Sequence, residues 1–149
     1  MSKNQGRSGI TLIELMIAVA VIAILMAIAV PSYRRIQRQG NVSKAKSELR
    51  TLQTAVENYY IHNDSTYPAS LSDLTTAVPN IVSSIPDDVF ASAGTSYGYD
   101  MGGTGNAYYV IYSIGPDENG SAAISSDSVS ETNGSSCVYV SNAGDDTEP

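Results

Sequence analysis

The sequence predicts an α+β protein: one long N-terminal helix, membrane-embedded along its first half and packed by its second half on a small antiparallel sheet with an acidic C-terminal loop region. Three observations predict this. A largely apolar run from Ile10 to Val30, closed by Pro31, carries a single acid, Glu14. Beyond it Ala45, Leu49, Leu52, Val56 and Tyr59 or Tyr60 recur at three- and four-residue spacing, the period of one helix face. Between Tyr97 and Val140 short alternating runs are separated by turn residues, the pattern of half-buried strands.

The first element is the apolar run. At a rise of ~1.5 Å per residue its roughly 21 residues reach about 30 Å as a helix, the thickness of a bilayer's hydrocarbon core. It is apolar on every side, which suits lipid or other copies of itself rather than one face of a soluble core. A bare carboxylate at that depth is costly. No Lys, Arg or His lies within the run, so the sequence offers Glu14 no partner in its own chain. Two readings stay open: Glu14 snorkels or takes up a proton near the helix end, or it meets a free amine at the same depth on another chain. An α-amino group newly exposed at Ile10 would serve, being largely cationic at neutral pH with a pKa of ~7.7 to 8.0.

Ser8-Gly9 followed by Ile10-Thr-Leu-Ile-Glu14-Leu-Met, after a short leader holding Lys3 and Arg7, resembles the class III signal of type IV pilins and type II secretion pseudopilins. The resemblance implies a pilin-like fold, cleavage after Gly9 by a prepilin peptidase, N-methylation of Ile10, and Glu14 as the carboxylate that meets a neighbour's first residue during assembly. Pro31 falls where the family has its helix-kinking proline. Ile10 replaces the usual Phe, and Ala23 stands where many members have Gly, which bears on how readily the helix unwinds between Ala23 and Pro31. The competing reading is a secretory signal peptide cleaved near Ala27-Ile28-Ala29. Glu14 and the length of the run argue against it.

The implied organisation is a leader over residues 1–9, a transmembrane and assembly helix over 10–31, an amphipathic helix over 32–63 and a small head over 64–149. Gly40-Asn41 is expected to bend or fray the second helical half, which runs to about Tyr60. Ser70 with Asp73 three residues on approximates a capping box and starts a short helix. Pro79 and Pro86 bound an apolar strap of Ile81, Val82, Ile85 and Phe90. Tyr97, Tyr99 and Met101 read as one strand, Ala107 to Ile114 as a second with Tyr108, Val110, Tyr112 and Ile114 on one face, and Cys137 to Val140 as a third. From Ser121 on, Ser, Asn, Gly and Asp dominate, which predicts loop and a disordered end.

Charge is segregated along the chain. The formal charge is −7. Removing the leader leaves six basic and fifteen acidic residues, or −9, and all six bases lie between Arg34 and Arg50. From Thr51 onward there are thirteen acids and no Lys or Arg, a head whose field repels phosphate and excludes nucleic acid as a partner. Counted simply, the bases after the run favour a cytoplasmic head. Cleavage at Gly9 and the placement of family members imply instead a single-pass protein of the bacterial inner membrane with its head in the periplasm. Two readings of the basic collar stay open: it faces anionic lipid before assembly and a neighbour's acidic flank afterwards, or it is a solvated helix face.

Cys137 is the sole cysteine and His62 the sole histidine, so an internal disulfide and a metal cluster of several histidines cannot be built within the chain, and His62 reads as a loop or helix-end residue. No nucleophile with its base can be assembled, so the sequence predicts no enzyme. Ser113-Ile-Gly-Pro-Asp117-Glu118-Asn119-Gly120 resembles the loop after the strand in the major pseudopilin of type II secretion systems, where it binds calcium. Asp117, Asn119 and Asp127 are the candidate oxygen ligands, with carbonyls near Ser113; the alternative is a plain acidic turn. The resemblance thus implies a structural subunit of a pseudopilus, or alternatively of a surface type IV pilus for adhesion, motility or DNA uptake. Its implied partners are further copies of itself, the prepilin peptidase and methylase, an inner-membrane assembly platform, minor pilins or pseudopilins, and membrane lipid.

Overall fold

The computed structural model describes residues 9–132 and 137–143. The expectations for the leader ahead of Gly9 and for the disordered end after Ala143 fall outside the described residues. The chain divides into two compact units, Met1–Gln37 and Arg38–Pro149. Among the described residues the elements are α1 (Leu12–His62), α2 (Asp73–Thr76), β1 (Gly98–Gly102), a 3-10 turn at Thr104–Asn106, β2 (Tyr108–Ser113), β3 (Ser121–Ser125), β4 (Ser128–Thr132) and β5 (Val138–Ser141).

Helix α1 is continuous over 51 residues and contains Pro31. It also runs through Gly40-Asn41 without the expected interruption. A lone glycine costs a helix only about 0.5–1 kcal/mol relative to Ala, and Val42, Ala45 and Leu49 just beyond it pack on the core, which holds the turn in place. Side chains satisfy the last carbonyls of the helix: His62 Nδ1 meets Asn58 O at 2.8 Å and Asn63 Nδ2 donates to Tyr59 O at 2.9 Å. Unpaired helix-end carbonyls need such partners.

In the second unit β1, β2 and β5 form an antiparallel sheet in the order β1-β2-β5. The register pairs Tyr99 with Ile111, Met101 with Tyr109 and Ile111 with Val140, and residues directly opposite share a face. The face toward α1 is therefore that of Tyr99, Tyr109, Ile111, Val138 and Val140. It closes on Ala45, Leu49, Leu52, Ala55 and Val56 of α1, with Leu71 and Leu74. Ile81, Val82, Ile85, Val89 and Phe90 pack along the same core, as the apolar strap was expected to. Tyr108, Val110 and Tyr112 do share a face, but it is the other one, turned away from the helix.

That second face explains the main departure from expectation. Ser121 to Ser130 was expected to be loop, yet it forms most of a β-hairpin, β3 paired antiparallel with β4 from Ser121↔Thr132 to Ser125↔Ser128. Ala122, Ile124 and Val129 point one way and cover Val110, Tyr112, Cys137 and Tyr139. The two-residue turn, Ser126-Asp127, has φ of 49° and 67°, the doubly positive geometry that matches strand twist. Asn-Gly ordinarily marks such a turn, and neither residue is present here. With serines at the outward positions, the strand period was masked by composition.

Short polar links fasten these layers. Tyr97 Oη donates to Glu48 Oε2 at 2.5 Å, Tyr109 Oη to Glu57 Oε1 at 2.7 Å and Tyr99 Oη to the Pro68 carbonyl at 2.8 Å. Burial pushes all three phenols up, and the adjacent Glu48 and Glu57 carboxylates push Tyr97 and Tyr109 further, so each stays a neutral donor. The expected capping box at α2 is half formed: the Ser70 N–H donates to Asp73 Oδ2 at 3.0 Å.

Candidate assembly site

The start of α1 is built from four residues. Gly9 and Ile10 precede the helix, both exposed. Thr11 then caps it: the Thr11 N–H and hydroxyl both donate to Glu14 Oε2, at 2.9 and 2.8 Å, and the Glu14 N–H donates back to Thr11 Oγ1 at 3.3 Å. This is a reciprocal capping box, in which two donors of the first turn find side-chain acceptors. It corrects the expectation that Glu14 has no partner in its own chain. The Thr-x-x-Glu spacing is its signal in the sequence. Thr11 satisfies the oxygen that faces it but carries no charge.

Past Glu14 the apolar side chains of the first unit are exposed. An 18-residue window of α1 has a mean hydropathy of 2.9 and is wholly unburied; Leu12, Ile13, Ile17, Ile24 and Ile28 are each more than half exposed. An apolar surface on every side of a helix of this length requires lipid or other chains around it. Pro31 is exposed within the same helix.

The loop proposed for calcium lies in the head. Gly115 to Glu118 form a turn closed by the Glu118 N–H on Gly115 O at 3.0 Å and by the Gly120 N–H on Ile114 O at 2.9 Å, with Asp117 and Asn119 exposed. Asp127 is elsewhere. The five residues of β3, at about 3.4 Å each, separate it from Gly120, and its Oδ1 accepts the Thr104 N–H at 2.9 Å. The three candidate ligands therefore do not converge, and among the described residues no three His, Cys, Asp or Glu side chains are grouped to hold a metal ion. The residues present do not fit a calcium site built on Asp117, Asn119 and Asp127.

A different acid organises that end of the sheet. Asp88 is 4% exposed and accepts three bonds: Ser113 Oγ at 2.7 Å and the Phe90 N–H at 3.0 Å on Oδ1, and the Ile114 N–H at 2.9 Å on Oδ2. It pins the strap to the end of β2, and nothing in its Pro-Asp-Asp context singled it out. Beside it the buried Cys137 thiol donates to Ser113 O at 3.5 Å. Burial, with the charges of Glu131 and Asp88, pushes that thiol up to about 12. Gly120 admits the crossing of chains here, since a Cβ on it would meet Ile114 O at 2.8 Å and Cys137 Cα at 2.9 Å.

A capped acid at the start of a helix long and apolar enough to cross a membrane, and a small antiparallel sheet on an amphipathic helical stretch, define an α+β chain of pilin-like architecture. Residues 4–30 match the prokaryotic N-terminal methylation motif. The chain is 44% identical over 61 residues to the type IV major pilin protein PilA of Myxococcus xanthus (strain DK1622), covering 41% of this chain and 28% of that one. It is 49% identical over 51 residues to the type IV major fimbrial protein FimA of Dichelobacter nodosus, covering 34% and 33%. With the type IV major pilin protein PilE1 of Neisseria gonorrhoeae it shares 36% identity over 76 residues, or 51% and 46% of the two chains. The N-terminal part of the chain is thus similar to that of proteins named type IV pilins. The chain spans less than half the length of each of these relatives, and no solved structure matches it.

Proposed function

We propose that this protein is a structural subunit that polymerises through α1 into a filament of the type IV pilus class. The observation that carries the reading is the capped Glu14, with no cation beside it among the described residues, at the head of a helix whose apolar surface is exposed. Cleavage after Gly9 places the amine of Ile10 four residues from Glu14 along the chain, and its equivalent on a neighbour at matching depth. That amine would supply the cation that Thr11 does not. A prepilin peptidase and methylase, an assembly platform in the inner membrane and minor subunits are the partners this route requires, with lipid around α1 beforehand and the head in the periplasm.

Within that class, the Ser113–Gly120 loop and the absence of a second cysteine support the major pseudopilin of a type II secretion system. The names of the relatives support a surface pilus, through the N-terminal stretch that they share with this chain. Mass spectrometry of the mature N-terminus in native material tests the common reading. A chain beginning at N-methylated Ile10 is expected; a chain still carrying its first nine residues overturns it.

A further inference from the structure

The face of α1 opposite the core is not smooth. Ser43, Ser47 and Thr51 form one i, i+4 row and Lys46, Arg50 and Thr54 the next, and between them runs an open groove of about 480 Å³. Ridges and grooves of this kind are what a second element packs into. Its walls are low because the hydroxyls of Ser43, Thr51 and Thr54 fold back on the carbonyls of Gln39, Ser47 and Arg50, at 3.0 to 3.1 Å. Lys46 and Arg50 give it a positive rim.

Of the ten described acids after Thr51, six are tied into the fold, and the side chains of Asp64, Asp117, Glu118 and Glu131 have no hydrogen bond among the described residues. Glu57, Asp73, Asp87, Asp88, Asp100 and Asp127 accept hydrogen bonds from backbone N–H groups or hydroxyls inside the fold. These carboxylates hold the head together. Asp117 and Glu118 do not take part: they lie side by side, exposed, at the tip of the turn after β2, and among the described residues their side chains have no hydrogen bond or ion pair. The turn that carries them is held from behind by the Glu118 and Gly120 N–H bonds and by the close passage of Gly120 against Cys137. It is a small, braced, doubly acidic knob.

We propose that the groove receives the Gly115–Gly120 turn of a second copy of the chain, with Asp117 and Glu118 against Lys46 and Arg50. The inference rests on the filament reading above and names one contact within it. Charge carries it: every base of the processed chain precedes Thr51, while thirteen acids follow. Copies packed head against head in register would repel one another, and a stagger that sets the acidic turn of one on the basic groove of the next removes that repulsion. Complementary charge also fixes register, which the apolar stretch of α1 between Glu14 and Pro31 cannot do.

The test uses the full chain in a filament-forming strain, with three variants: Lys46→Glu, the pair Asp117→Lys with Glu118→Lys, and all three substitutions together. Each of the first two is expected to lower the assembled fraction about tenfold by setting like charges opposite one another, and the combined variant to restore it to within about twofold of the unsubstituted chain. A fourth chain, carrying Lys46→Cys and Glu118→Cys, is expected to give interchain cross-links with a short bismaleimide in assembled filaments. Normal assembly of Lys46→Glu, a combined variant no better than the single ones, or absence of the cross-link overturns the docking. So does a Lys46→Glu chain that assembles normally but loses binding to phosphatidylglycerol vesicles, which would make the groove a lipid-headgroup surface. If the unsubstituted chain assembles while these results fail, the docking alone falls; if it does not assemble, the filament reading falls with it.

Discussion

Thr11 and Glu14 hold one another through three hydrogen bonds of 2.8 to 3.3 Å at the first turn of α1. The acid that an apolar helix retains thus has two tasks that belong to different atoms and different partners. Oxygen to donor, it caps the helix within its own chain; charge to charge, the proposed assembly gives it a neighbour's amine. Replacing Thr11 by Val removes the hydroxyl from both of its bonds and leaves only the backbone donor. A loss of about 1 kcal/mol in local stability is expected, read as faster hydrogen exchange of the peptide spanning Thr11 to Leu15 in detergent, with the head's exchange unchanged.

Asp88 is the acid on which the head's stability should depend most. Removing it as Ala leaves the Ser113 hydroxyl and two N–H groups without their buried acceptor, at a cost of about 3 kcal/mol. The urea midpoint of the full chain should fall accordingly. Asp117→Ala, on the exposed turn a few residues from Ile114, should leave it within about 0.5 kcal/mol.

The buried phenols make the head sensitive to alkali. Burial raises the pKa of Tyr97, Tyr99 and Tyr109 above the unfolded value, so between about pH 10 and the folded values the unfolded chain has lost protons that the native chain keeps. Stability is full below about pH 10 and is lost as pH rises through the folded values. Tyr109→Phe should lower stability at neutral pH, through the lost bond to Glu57, and flatten the alkaline fall. Denaturation midpoints measured from about pH 8 to 11 would reveal both effects.

Cys137 should be nearly inert while the head is folded. With its thiol pushed up to about 12, the thiolate fraction at pH 8 is on the order of a thousandfold below that of an unperturbed cysteine. Maleimide labelling should therefore follow unfolding in urea, and equal rates for native and unfolded chain would contradict this placement.

Much of this architecture was legible because it repeats. The three- and four-residue spacing from Ala45 to Val56 and the alternation through β2 survive in the core that they build, and β5 appears where Val138-Tyr-Val140 pointed. What escaped reading lacked a period or hid it. The β3–β4 hairpin buries only Ala122, and that fully, with Ile124 and Val129 partly covered, beneath a serine-rich outer face, and its turn uses Ser126-Asp127 where Asn-Gly would have announced it. Gly40-Asn41 looked like a break because local propensity is weak beside the packing on either side. At the candidate site, Gly9, Ile10 and Glu14 stand out only through the resemblance to the class III signal, the Thr11 cap is carried by its three-residue spacing to Glu14, and β3 places Asp127 at the far end of a strand from the Asp117 turn.

Assembly of a Glu14→Gln chain, with Glu14→Ala beside it, tests the central claim most directly. Gln keeps an oxygen that Thr11 can bond and removes the charge, so the cap survives while the attraction for a neighbour's amine is lost. Quantified in sheared filaments against the membrane fraction, both variants are expected to be processed to Ile10 yet to remain in the membrane, at less than about a tenth of the unsubstituted share in filaments. Entry of the processed Gln chain into filaments at the unsubstituted level would contradict the account.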